Sequence, residues 1–145
     1  MVKKREKKEK IIFSVGKRDT AVAKTIVKPG SGKTKINSKP LEIWGSEQLR
    51  LWIKEPLILS DDLSKRVDID VNVRGGGIVG QAEAVRMSIA KGLVNFSGSD
   101  ELRKKYLGYN RNLLVYDPRR NEPHHSSGKG CSKRGSRRHK QRSKR

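Results

Sequence analysis

The chain has 145 residues, 35 of them Lys or Arg against 15 Asp or Glu, for a formal charge of +20. Such an excess directs the search for partners to polyanions, nucleic acid first. Hydrophobic residues make up 32% and aromatics 5%, which supplies a core for one domain with tails and excludes a chain that is globular throughout.

No apolar run approaches the ~20 residues needed to cross a bilayer, and "MVKKREKKEK" is not followed by the apolar segment of a signal peptide. The expectation is a cytosolic protein without membrane contact. The single cysteine, Cys131, has no internal disulfide partner and suits a reducing compartment. Residues 1–10 hold six bases and two acids, a charge of +4, and read as a basic N-terminal arm.

Order is expected from Ile11. "IIFSVG" and "TAVAKTIVK" are both β-prone, and the second alternates Val22, Lys24 and Ile26 against Ala21, Ala23 and Thr25. "KPGSGK" should then turn the chain back as a hairpin into "KTKIN", since Pro29 fixes one backbone angle and Gly30 and Gly32 tolerate positive φ. "SEQLRLWIK" predicts a short helix with Ser46 as N-cap and Leu49, Trp52 and Ile53 inward, stopping before Pro56. Asp61 and Asp62 read as a solvated turn.

The clearest strand runs from Val67 to Val73, where Val67, Ile69, Val71 and Val73 share one face and Asp68, Asp70 and Asn72 the other. Beyond a glycine cluster, Ile78, Ala82, Val85, Ile89 and Leu93 recur every three or four residues. That spacing predicts an amphipathic helix of about four turns lying across the sheet. "SDELRKKYL" predicts a last helix capped by Ser99, with acids in its first turn and lysines near its end. Residues 117–145 carry eleven bases, two acids and only Cys131 from the hydrophobic set. They are expected to be a basic tail, disordered until an anion orders it.

Gly75, Gly77 and Gly80 match G-x-G-x-x-G between strand and helix, and Asp100 follows Gly80 by twenty residues, as in a dinucleotide site. The context fails, because Asp100 opens a helix and no second parallel strand stands between. What survives is an anion site: free N–H groups at a helix N-terminus, opened by glycine and flanked by Arg74. The competing reading is a sharp turn and nothing more. "GSGKT" at Gly30 to Thr34 lacks the first glycine of a P-loop, Val27 standing there, so a turn is the better account. His124, His125, Cys131 and His139 match no zinc-finger spacing. No catalytic set can be placed, since every His lies in the tail, and neither cofactor nor metal is expected.

"NVRGGG" at Asn72 to Gly77, "GQAEAVR" at Gly80 to Arg86 with "IAKGL" after it, "GKRDTAVAK" at Gly16 to Lys24 and the terminal "SKR" together carry a resemblance. From about Ile11 to Arg145 the chain resembles the family of small-subunit ribosomal protein number nine, in its archaeal or eukaryotic-like form. The resemblance implies one α+β domain over 11–116 with a four-stranded sheet, helices packed on one face, and a long basic extended C-terminal tail.

It further implies a non-enzymatic constituent of the small-subunit head, with ribosomal RNA, peptidyl-site tRNA and neighbouring ribosomal proteins as partners. The implied rRNA-binding set is Lys17, Arg18, Lys33, Lys35, Arg74, Gly75, Gly76, Gly77 and Gln81 in the domain, with Arg119, Arg120, Lys129, Lys133 and Arg134 in the tail. The tail's end would touch the anticodon stem-loop backbone through Arg137, Arg138, Arg142, Ser143, Lys144 and Arg145. Its 29 residues could span up to ~95 Å at ~3.3 Å each. Asp19, where a basic residue is usual, His124 and His125 in place of a Lys pair, and Arg142 in place of a frequent aromatic depart from the pattern. On charge alone an architectural DNA-binding protein is the rival, because backbone affinity does not depend on sequence.

Overall fold

The computed structural model describes residues 10–120. Five strands, β1 (Ile12–Arg18), β2 (Ala21–Pro29), β3 (Thr34–Ile36), β4 (Lys39–Pro40) and β5 (Val67–Arg74), form one sheet in the order β1-β2-β5-β3-β4. The helices are α1 (Glu47–Leu59), α2 (Asp62–Lys65), α3 (Ile78–Ser97) and α4 (Asp100–Tyr109). The α+β class is as expected, with a sheet of five strands rather than four. The extra strand is the two-residue β4, paired to β3 through Lys35↔Pro40 and Ile36↔Lys39, too short to leave a periodic signal in the sequence.

The expected hairpin through "KPGSGK" does not form. β1 and β2 make the hairpin instead, through a two-residue loop of Asp19 and Thr20, with Asp19 at φ 51°, a conformation that Asp tolerates better than most residues. β5 enters between β2 and β3, antiparallel to the first and parallel to the second. Its Val67, Ile69, Val71 and Val73 are all buried, and a strand so apolar on one face is most stable in the middle of the sheet. A parallel β3–β5 pair needs a crossover, which is why α1 and α2 lie between these strands in the chain.

The β2–β3 loop is held by β5. Ser31 and Lys33 donate their backbone N–H groups to Asp68 Oδ1 at 2.8 and 3.0 Å, and Gly30 N–H donates to the Arg66 carbonyl at 3.0 Å. A Cβ on Gly30 would collide with the Asp68 carboxylate. The donors that a phosphate-binding loop would offer to a ligand here serve a carboxylate of the same chain.

α3 packs on β1 and β2 at a distance that admits almost no side chain. A Cβ on Gly16 would meet the Ala84 carbonyl oxygen and lie 2.6 Å from Ser88 N, and one on Gly92 would lie 2.7 Å from Val27 Cγ2. The sheet therefore presents Ala21, Ala23 and Thr25 inward, against Ala82, Ala84 and Ser88 of the helix, all buried. The Thr25 hydroxyl donates to Ser88 Oγ at 2.6 Å and Ser14 Oγ to the Ser88 carbonyl at 2.7 Å, so the polar groups in this seam are satisfied. Of the expected stripe on α3, Ala82, Val85, Ile89 and Leu93 are buried, while Ile78, in the first turn, is 56% exposed. The helix continues past Leu93 to an αL cap at Gly98.

α1 runs through Pro56 instead of stopping before it. Proline removes one ladder bond, and burial makes this tolerable: Pro56 sits in the core and its carbonyl accepts from the Tyr106 hydroxyl at 2.7 Å. Burial pushes the Tyr106 phenol well above its ordinary pKa, so it remains a donor. Ile53 is buried and Leu49 packs against the core. Trp52, expected inward, is 39% exposed and lies beside the Arg86 guanidinium, which is paired with Glu55. Neither Ser46 nor Ser99 makes a side-chain capping bond. Asp62, 73% exposed, opens the four-residue α2 in the solvated stretch. Among the described residues the opposite face of the sheet carries no helix, and Phe13, Val15 and Ile26 are exposed there.

Overpacking at the seam should cost ~1–3 kcal/mol. Gly16→Ala is expected to lower the unfolding free energy obtained from urea titration by that much, whereas Gly108→Ala in α4, where a Cβ meets nothing within 4 Å, should raise it by ~0.5 kcal/mol.

Candidate nucleic-acid interface

At the end of β5 the chain must reverse from strand to helix within three residues. Gly75 and Gly76 do this at φ 79° and 65°, in the left-handed region that other residues enter at a cost. They also lie against the β1–β2 loop, where a Cβ on Gly75 would stand 2.6 Å from the Thr20 carbonyl oxygen. Gly77 differs: it has ordinary extended φ, is the N-cap of α3, and a Cβ there meets nothing within 4 Å. Two of the glycines are thus required by the turn, and the third faces open space.

α3 begins without a side-chain cap, so the N–H groups of its first turn point outward with the positive end of a 20-residue helix behind them. Gln81 braces the turn, donating its side-chain amide to the Gly75 carbonyl at 3.1 Å. A cleft of ≈ 440 Å³ opens here, lined by Thr20, Gly76, Gly77, Gly80, Arg119 and Arg120 among others. Arg74, exposed at the end of β5, stands beside the turn on the open face of the sheet. Asp19 is also on the cleft, so its rim is not uniformly cationic.

Within the described residues the expected RNA-facing set separates into three places. Lys17, Arg18, Arg74, Gly75, Gly76, Gly77, Gln81, Arg119 and Arg120 gather at the end of the sheet where β5 meets α3. Lys33 belongs to the loop at the far end, roughly 20 Å along β5 at ~3.3 Å per residue. Lys35 lies opposite Asp70 on β3 and shares the open sheet face with Lys24, Asn72 and Arg74. Lys129, Lys133, Arg134, Arg137, Arg138, Arg142, Ser143, Lys144 and Arg145 lie outside the described residues, as do His124, His125, Cys131 and His139.

Arg18 is not a free cation. Its Nε pairs with Glu83 of α3 at 2.7 Å and its Nη1 with Asp117. Asp117 is 7% exposed, and Arg119 also binds it, through Nη2 at 2.7 Å and backbone N–H at 3.0 Å. Reading residues 117–145 as one charged block passed over Asp117 and the contact it makes with β1. A local signal was present: an acid two residues before an arginine can accept that residue's N–H in an Asx turn. Lys24 was also absent from the expected set, although its place on the outward face of β2 followed from the alternation.

In the described residues no helix is long and apolar enough to cross a membrane. The arrangement is that of a small basic α+β protein. The chain matches the family model described as ribosomal protein S9/S16 over residues 16–145. It is 53% identical over 113 residues to small ribosomal subunit protein uS9 of Pyrobaculum aerophilum, covering 78% of this chain and 80% of that one. Its identity to the protein of the same name from Desulfurococcus amylolyticus is 50%, covering 80% and 83%, and to that from Methanococcus maripaludis 46%, covering 81% and 88%. The chain belongs to the S9/S16 family of ribosomal proteins, structural proteins rather than enzymes.

The hydrogen bonds and charge of Arg119, and then Arg18, hold the Asp117 carboxyl well below the ordinary carboxylate range. A depressed folded value means that its contribution to stability is complete above the unfolded pKa of ~3.9 and fades as pH falls through the folded one. The urea midpoints of the native chain and Asp117→Asn should therefore differ by a constant amount above about pH 5 and converge below about pH 4.

Proposed function

We propose that the chain is a structural constituent of the small ribosomal subunit in the cytoplasm. In this reading the domain docks on ribosomal RNA of the subunit head, through the glycine turn and its arginines. Residues 121–145 carry cations onward to the anticodon stem-loop of peptidyl-site tRNA. The observation that carries the reading is the uncapped N-terminus of α3 at Gly77, open to close approach beside Arg119 and Arg120. Backbone N–H groups at a helix start and arginine forks both suit phosphate oxygens, and neither reads base identity. Specificity then comes from RNA shape and from the assembled site. Neighbouring proteins of the head complete the set of partners.

Gly77→Ala separates contact from turn geometry, since Gly76 and not Gly77 occupies the left-handed region. Its fold should change by less than ~1 kcal/mol, while affinity for a head-domain rRNA fragment falls about tenfold, ~1.4 kcal/mol. Arg74→Glu should weaken the same binding and make it less salt-dependent. Unchanged affinity in both variants would return the glycine turn to a purely conformational role. For the tail, removing Lys144 and Arg145 should leave incorporation into subunits near normal and speed release of tRNA from the peptidyl site. Off-rates equal to those of the intact protein would exclude that contact.

A further inference from the structure

Arg18 lines the same cleft as the glycine turn, and its guanidinium is engaged there by two carboxylates of the chain, one of them the buried Asp117. The Arg18 guanidinium spans two carboxylates from different parts of the chain, Glu83 on α3 and Asp117 just beyond the last helical turn. Asp117 is nearly buried, and its oxygens are shared between Arg18 and both the side chain and backbone N–H of Arg119. Arg119 itself remains 81% exposed in its side chain, and Arg120 lies over the Tyr116 ring at 5.0 Å. These contacts tie the residues leaving the domain to β1 and α3, and put the next two cations on the cleft.

We propose that Arg18 and Asp117 form a positioning clamp: they fix the root of the C-terminal tail beside the N-terminus of α3, so that Arg119 and Arg120 complete one phosphate-binding cleft with the glycine turn. Arg18 then acts through Asp117 and does not itself touch RNA. The inference deepens the RNA-binding reading and rests on it for its ligand, but the clamp can be tested without RNA.

The distinguishing feature is the sign of one substitution. Asp117→Asn removes a negative charge from a surface that binds phosphate, so simple electrostatics predicts tighter binding. A positioning role predicts weaker binding, because the amide cannot hold Arg18 by charge and the two cations beyond it lose their place.

The experiment compares full-length native chain, Arg18→Gln, Asp117→Asn and the double variant in two assays. The first is the initial rate of tryptic cleavage after Arg119 and Arg120 in the absence of RNA. The second is affinity for a head-domain rRNA fragment at fixed salt. Each single variant is expected to be cleaved several-fold faster and to bind RNA several-fold more weakly, with the double variant no worse than the more affected single one, as for residues acting through each other. Cleavage rates equal to the native chain's would overturn the clamp whatever happens to RNA binding. Tighter or unchanged RNA binding by Asp117→Asn would overturn its role in presenting the cleft, as would additive losses, which would make Arg18 an independent RNA contact. A native chain that does not bind the fragment would sink the RNA-binding reading, and the tryptic comparison would still decide the clamp. Should Asp117→Asn lose much of its thermal stability, Arg18→Lys replaces it: lysine keeps the charge but lacks the fork that spans two carboxylates, and it should show the same faster cleavage.

Discussion

The close approach of α3 to β1 and β2 is the constraint on which the rest of the domain depends. With glycine at positions 16 and 92 and mostly alanine, serine or threonine elsewhere in the seam, the helix backbone lies almost on the strands. Hydrophobic burial per residue is modest there, and the gain comes from close packing over a long contact and from the satisfied hydroxyls of Ser14, Thr25 and Ser88. The larger side chains are pushed outward to where the layers diverge: Ile53, Ile69, Ile89 and Leu93 fill the space toward α1, and Tyr106 and Leu113 close a second cluster under α4.

That seam also determines where the functional end is. α3 can reach β1 and β2 only if the chain leaves β5 and reverses at once, which requires the left-handed Gly75 and Gly76 packed on Thr20 and Ala21. The reversal leaves the start of the helix uncapped at the rim of the domain. The turn demanded by packing thus falls to Gly75 and Gly76, while the proposed phosphate contact would fall to a different residue of the same motif, Gly77. The opposite loop has comparable residues and the reverse outcome, since Asp68 consumes the N–H groups of Ser31 and Lys33.

Charge is distributed in the same economical way. The span 11–116 holds 18 bases and 11 acids, and the remaining excess lies in the terminal segments. Several bases of the domain are engaged internally, Arg18 with Glu83 and Asp117 and Arg86 with Glu55. The cations left for a polyanion are therefore fewer and more localised than a count of Lys and Arg suggests, and their placement depends on which acids face them.

Local periodicity in the chain was enough for the β5 face of Val67, Ile69, Val71 and Val73, the inward stripe of α3 from Ala82 onward, the glycine reversal between them, and the segregation of charge into the ends. The motifs around Gly16, Gly75 and Gly80 carried the family. Which strand neighbours which was fixed by folding alone, because β2 pairs with β5 across a separation that no turn propensity records. The same holds for the continuation of α1 through Pro56, made tolerable by burial and by Tyr106, for the exposure of Trp52, and for the capture of Asp117 by Arg18. Each is settled by a partner distant in the chain, and a residue's own helix, strand or turn preference contains no information about that partner.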